Sequence, residues 1–429
     1  MSDYSITEIL GRRVWDSRGR PTVEAEVILG SGQRGRAMAP AGASTGSGEA
    51  LDLRDADGID VRRALVNIRH PIREALIGLD VREQTTLDRI LVELDGTPAK
   101  THLGGNACVA VSMACLWAAA AAEGVAPWQW LAGDHPVRLP LPEIQIIGGG
   151  AHAARRVDIQ DFMIVCPGAE SVSEALDWTA RVYRGTGELL AEAGQLAGVA
   201  DEGGYWPLLD SNEAALALLT RAIEQAGFRA PEQVAISLDI AASQFYRDGV
   251  YRLARDDRTL DGGGLIAMLR DWLGRYPIVS VEDPLVEDDA EGIAAFTRAV
   301  GDRIQVVGDD FLVTSAQRVA QAANLHACNA LLVKPNQAGT LSEAHAALMA
   351  AREAGWGTIV SARSGETEDV TVAHLAVGWN AGQIKVGAFS RSERMCKWNE
   401  LLRIEEALGA DAKFAGGAVL PPRGSDHSR

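Results

Sequence analysis

The sequence predicts an α/β protein, a strand-helix barrel preceded by a smaller α+β domain. Three observations predict it. From about Leu139 onward, short β-branched runs alternate with helical stretches such as SVSEALDWTARVYRGTGELLAEAG and SEAHAALMAAREAG, which favours a parallel sheet. The chemically informative strand ends recur roughly 20 to 45 residues apart, as barrel units with insertions do. The competing open, doubly wound sheet usually carries a glycine-rich phosphate loop after its first strand, and from Leu139 onward neither GxGxxG nor a P-loop occurs.

In chain order, residues 5 to 30 alternate apolar and polar around a turn at DSRGRPT and enter VEAEVIL, which predicts a small antiparallel sheet. The next segment, AMAPAGASTGSGEAL, is dense in Gly, Ala and Ser and predicts a mobile loop. From about Asp60 to Leu131 the period is helical, with breaks at DGT and LGGN. The link HPVRLPLP separates a cap domain (residues 1–135) from an α/β domain (136–413). Residues 414–429 read as a loose tail.

Bulk properties narrow the function. With 429 residues the chain exceeds one ordinary core, and 47% hydrophobic residues is usual for a globular protein. A formal net charge of -17 argues against nucleic acid and acidic membrane surfaces as partners. A small anionic substrate stays compatible, because bound cations and lysines reverse the local field. MSDYSITEIL shows no basic-then-apolar export pattern, and the expected location is cytoplasmic. The longest apolar stretch, Ala107 to Ala122, is Ala-rich and short for a bilayer, so a buried helix is expected. The five cysteines form no CxxC pair and read as reduced, buried thiols.

Six apolar runs end in residues that can do chemistry: AISLDI, PIVSVEDP, IQVVGDD, ALLVKPNQ, TIVSARSGE and QIKVGAF. Stacked in parallel, they bring Asp239, Glu282, Asp309, Lys334, Arg363, Ser364 and Lys385 to one rim. Asp239, Glu282 and Asp309 offer oxygen ligands to a hard divalent cation. Removing a proton alpha to a carboxylate puts a second negative charge on that group, and two divalent cations on its oxygens would offset it. Lys334 is the candidate base, its amine expected to be lowered by nearby cations. Lys385 would hold the far side of a substrate carboxylate, and Arg363 and Ser364 suit a phosphate-like oxygen cluster. Glu202, bracketed by glycines in ADEGGYWP, can protonate a leaving hydroxide. The competing structural roles are helix capping for the acids and ion pairing for the lysines.

The segments DSRGRPTVEAEV, GASTG, ELDGT, GGGAHA, ADEGG, SVEDP, GDD, VKPNQAGT, RSGETED, QIKVGA and KWNELLRIEEALG together resemble enolase over nearly the whole chain. The resemblance implies a modified eight-stranded (β/α)8 TIM-type barrel with an α+β cap. It also implies magnesium, two ions per site, and loss of water from a 2-phosphoglycerate-like acid. By motif, Asp239, Glu282 and Asp309 match the first-metal ligands, and Ser44 the loop residue that closes on a second metal. Lys334 matches the base, Glu202 the acid, Arg363 and Ser364 the phosphate contacts, Lys385 a carboxylate contact and His152 a loop histidine over the substrate. A homodimer is implied by the same analogy.

The chain departs from the family text in five places. PAGASTG has Ala41 for the usual Ser, GGGAHA has Gly148 for Asn, QDFM has Asp161 for Glu, SARSGE has Ala362 for His, and KPNQ has Pro335 for Val. Four of these shorten a side chain. The expectation is a pocket enlarged around unchanged chemistry, with Asp161 among the catalytic residues and Ala362 and Gly148 in the substrate wall. The substrate is then a 2-phosphoglycerate carrying something extra on phosphorus, such as the acid that gives carboxyphosphonoenolpyruvate in phosphonate antibiotic pathways. The competing readings are an ordinary glycolytic enolase and a non-catalytic relative kept for binding. A racemase-type barrel is disfavoured by ADEGG and RSGETED.

Overall fold

A computed structural model describes residues 3–43 and 45–422. Ser44, the expected second-metal residue, and residues 423–429 of the expected tail lie outside the described residues.

Strands β1 (Ile6–Trp15), β2 (Pro21–Leu29) and β3 (Arg34–Met38) form an antiparallel sheet in that order. Asp16 builds the β1–β2 turn: its Oδ1 accepts the backbone N–H of Arg18 and of Arg20, each at 2.9 Å. Residues 30–35, GSGQRG, carry GxGxxG spacing but link antiparallel β2 to β3, so they open no phosphate-binding helix. Helix Gly105–Glu123 crosses this sheet. It is long and apolar enough to span a membrane, yet 83% of its apolar window is buried, as expected of a core helix. Gly35 admits it, since a Cβ there would stand 2.1 Å from Ala114 O and Ala118 N.

The second domain begins with β4 (Leu141–Gly148), β5 (Asp161–Val165) and β6 (Ala235–Asp239). A small antiparallel excursion follows, made of β7 (Tyr246–Arg247), β8 (Val250–Leu253) and β9 (Arg258–Leu260). Then come β10 (Ile278–Glu282), β11 (Gln305–Gly308), β12 (Ala330–Val333), β13 (Gly357–Ser361) and β14 (Gly382–Ala388). The barrel closes in the order β10-β11-β12-β13-β14-β4-β5-β6. Its strands are buried almost throughout, as strands covered on both faces must be. Helices between them are capped by Ser171, Ser211, Asp261, Asp289, Ser315 and Thr340. None of Asp239, Glu282 and Asp309 is among these caps, so that alternative falls away.

Uniform strand-helix repetition fails at the first unit. β5 runs antiparallel to both β4 and β6, and two helices, Val172–Glu192 and Asn212–Gln225, then precede β6. The connection GGGAHAARRVDIQ carries no helical period and folds only a short turn, Gly150–Ala153. Reversal has a chemical consequence. A parallel strand offers its last residue to the barrel mouth, whereas β5 offers its first, Asp161, which pairs in register with Asp239 and Gly148.

The expected loose tail is corrected for residues 414–422. Ala415 donates its N–H to Leu139 O at 2.9 Å, and Gly416–Val419 forms a turn. Phe414, Val419 and Leu420 pack on Leu141, Val165, Ala235 and Val279 at the lower end of the barrel. The apolar pair Val419-Leu420 has core to cover there, which its Gly/Pro-rich surroundings conceal.

Candidate active site

The barrel mouth gathers nearly the whole expected set. A cavity there is lined by His152, Asp161, Glu202, Asp239, Lys334, Ala362, Arg363, Ser364 and Lys385. Glu282 and Asp309 stand behind it, in contact with Lys385 and Lys334 respectively. Gly148 does not line it. A Cβ there would lie 2.6 Å from Ala200 Cβ, so the space its short residue leaves is already filled. The expectation that Gly148 widens the substrate wall is therefore corrected.

Carboxylates surround two ammonium groups. Lys385 Nζ donates to Asp239 Oδ2 and Glu282 Oε2, each at 2.9 Å, and lies 3.7 Å from Asp161 Oδ2. Burial disfavours that charge, but Asp239 and Glu282 outweigh it and hold the Lys385 proton well above the usual lysine range. Lys334 Nζ pairs with Asp309 Oδ2, while Gln337 Nε2 donates to Asp309 Oδ1 at 2.9 Å. Burial would lower the Lys334 amine, yet Asp309 wins and raises it. The lowering expected for this amine depends on nearby cations; the Asp309 carboxylate by itself acts in the opposite direction.

These residues fit a cation. Four carboxylates (Asp161, Asp239, Glu282, Asp309) face two ammonium groups, and Glu282 Oε1 is buried without a hydrogen-bond partner. Burial, then the Asp239 charge, pushes Glu282 well above the carboxylate range, a cost that a divalent ion would offset. Ligand atoms of Asp283, Asp309 and Asp310 also lie within 4.8 Å of one another. Asp239 and Glu282 instead share the Lys385 ammonium, and Asp309 pairs with Lys334.

On the other side, His152 Nδ1 stands 3.6 Å from Asp161 Oδ1 and 3.7 Å from Glu202 Oε1. All three residues are buried. Burial pulls the imidazole down, but Glu202 and Asp161 lift it above its ordinary value. Burial raises Glu202, with His152 opposing; His152 and Lys385 overcome the burial of Asp161 and hold it low. An acid raised by burial and an acid held low flank a histidine, an arrangement suited to delivering a proton to a leaving group.

The expected anion end is shared between domains. Arg363 donates through Nη1 to Glu49 Oε2 at 2.9 Å and to Asn336 Oδ1 at 3.0 Å. Ser364 Oγ accepts the N–H of Ala43 at 2.7 Å, and Ala41 bridges Gly365. Gly42 and Ala43 of this loop thus lie at the mouth. Buried Arg394 holds the backbone below, donating to the carbonyls of Arg363 (2.6 Å), Val386 (3.0 Å) and Ser364.

Sequence reasoning missed several supporting residues. Asp283 accepts the N–H of Asp309 at 3.0 Å and of Asp310 at 2.8 Å, and holds a φ of 42° to do so. Gln160 Nε2 donates to Asp239 Oδ2 at 2.8 Å. Their signal was present in the motifs VEDP and QDFM, where a second polar residue adjoins each candidate.

Comparison with known families gives two matches. Residues 6–131 match the family model described as the enolase N-terminal domain, and residues 136–422 that of the enolase C-terminal TIM barrel domain.

Proposed function

Because the chain belongs to the enolase family, an enolase-like lyase in general, we propose that it is a magnesium-dependent hydro-lyase acting on an enlarged 2-phosphoglycerate analogue. The candidate substrate is a carboxyphosphono-glycerate and the product carboxyphosphonoenolpyruvate. Lys334 takes the alpha proton. Glu202, aided by His152 and Asp161, gives a proton to the beta hydroxyl as it leaves, and water is lost. Arg363 and Ser364 hold the phosphorus group, and Lys385 the carboxylate. Asp239, Glu282 and Asp309 would hold magnesium, with a second ion at Ser44; bound there, the cations would neutralise charge that develops on the carboxylate.

One observation carries the choice of substrate. Ala362 lines the cavity directly beside Arg363 and Ser364, so a short side chain would face a bound acid where the family usually has histidine. Loss of such a group changes discrimination by roughly 1–3 kcal/mol. A second reading, the ordinary 2-phosphoglycerate enolase, is favoured by the filled slot at Gly148, which removes one of the supposed sources of extra volume. The test is an assay of purified protein with magnesium against both acids. Turnover of 2-phosphoglycerate as fast as an ordinary enolase's, with none of the larger acid, selects the second reading.

A further inference from the structure

We propose that Gln145 is a positioning residue of the proton-donating half of the site, its amide tying the Asp161 carboxylate to the loop that carries Glu202. Its kinetic consequence rests on the hydro-lyase reading; its structural consequence does not.

Gln145 lies on β4 and is wholly buried. Its Nε2 donates to Asp161 Oδ1, and its Oε1 accepts the backbone N–H of Gly204 at 2.7 Å. The partners fix this orientation, since a backbone N–H only donates and an ionised carboxylate only accepts. Two glycines make room for the side chain. A Cβ at Gly204 would stand 2.5 Å from Gln145 Oε1, and one at Gly148 would stand 3.3 Å from Nε2. The short residue at 148 therefore accommodates an amide reaching up from within the strand, not a larger ligand.

The two bonds of this amide reach both acids. Asp161 Oδ1, the oxygen that Gln145 holds, is also the one 3.6 Å from His152 Nδ1. Glu202 lies in a turn closed by Ala200 N–H to Gly204 O at 2.7 Å and Gly203 N–H to Ala200 O at 3.0 Å, so fixing Gly204 fixes Glu202. Glu202 Oε1 then sits 3.7 Å from the same His152 nitrogen. Lys334 pairs instead with Asp309 and touches neither end of the amide. Proton abstraction and hydroxide loss therefore depend on Gln145 to different degrees.

Full-length protein with magnesium and two variants tests this. Gln145→Leu removes both bonds; Gln145→Glu keeps the volume and the Gly204 acceptor but removes the donor to Asp161. Hydrogen–deuterium exchange at Gly204 is expected to speed up at least ~10-fold in Gln145→Leu and to stay near wild type in Gln145→Glu. With an acid that the wild type turns over, each variant should lose roughly 10–100-fold in kcat at little-changed KM, while alpha-proton exchange with solvent continues. Unchanged Gly204 exchange in Gln145→Leu overturns the proposal, as does wild-type kcat in both variants. Equal loss of alpha-proton exchange and turnover also overturns it, by revealing a general structural role. If the wild type turns over no candidate acid, the hydro-lyase reading fails, and Gly204 exchange still decides the positioning claim. Should Gln145→Leu not fold, the kinetics of Gln145→Glu decide alone.

Discussion

The Lys334 ammonium is ion-paired with the Asp309 carboxylate, so the candidate base and a candidate metal ligand restrain each other. A cation that takes up the Asp309 charge would loosen the proton on Lys334, linking metal binding to base strength. Lys334→Ala should therefore lower alpha-proton exchange by about 10²–10⁴-fold while leaving cation binding in place. Exchange followed by NMR in deuterated water and cation binding followed by calorimetry check this; persistent exchange means that another group is the base.

Substrate size is tested by reversing two substitutions. Ala362→His combined with Asp161→Glu should shift preference toward 2-phosphoglycerate by about 10-fold or more relative to the larger acid. The measurement is kcat/KM on both acids with wild type and variant side by side. An unaltered ratio removes these positions from the account of specificity.

Arg394 supports the proposed anion end from below, through three backbone carbonyls. Arg394→Met leaves those acceptors buried without their donor, a loss of about 1–3 kcal/mol per unsatisfied group. Denaturant unfolding should show that loss, and KM for the phosphorus acid should rise. Arg394→Lys, which restores charge without the forked geometry, should recover only part of either.

The contact between the domains should make stability fall with rising pH. Asp88 Oδ2 accepts the N–H (2.9 Å) and the hydroxyl (2.7 Å) of Ser342, and Gln84 Nε2 donates to Oδ1 at 3.1 Å. Burial raises this carboxyl, and the hydrogen bonds only partly oppose it. The folded state therefore holds the proton to higher pH than the unfolded chain. That contribution is complete below the ordinary aspartate range and is lost as pH climbs through the raised value, with a slope of at most about 1.4 kcal/mol per pH unit. Asp88→Asn should flatten this part of the curve in urea titrations run from the ordinary aspartate range upward; an unchanged slope assigns the dependence to other groups.

Much of the mouth was legible because a strand end is a local signal. Asp239, Glu282, Lys334 and Arg363 each close or follow a short apolar run, and parallel stacking alone brings such ends together. The reversal of β5 was not legible. A run of five apolar-rich residues looks the same in either direction, and only the absence of a helical period in residues 149–160 hinted at a hairpin. Gln145 and Glu49 were hidden for another reason. Each acts through a partner distant in sequence, and a lone amide or acid within a motif does not announce which backbone it will hold. Gly148 misled because an absent side chain was equated with vacant space, whereas Ala200 and Gln145 already occupy it.

The floor formed by Phe414, Val419 and Leu420 separates two kinds of engineering. Deleting from residue 414 onward would admit water beneath Leu141 and Val279 and weaken the scaffold without touching any group at the mouth. Fusions joined beyond Pro422 leave that stopper seated, which makes the far side of position 422 the safer place for an affinity tag or a surface tether.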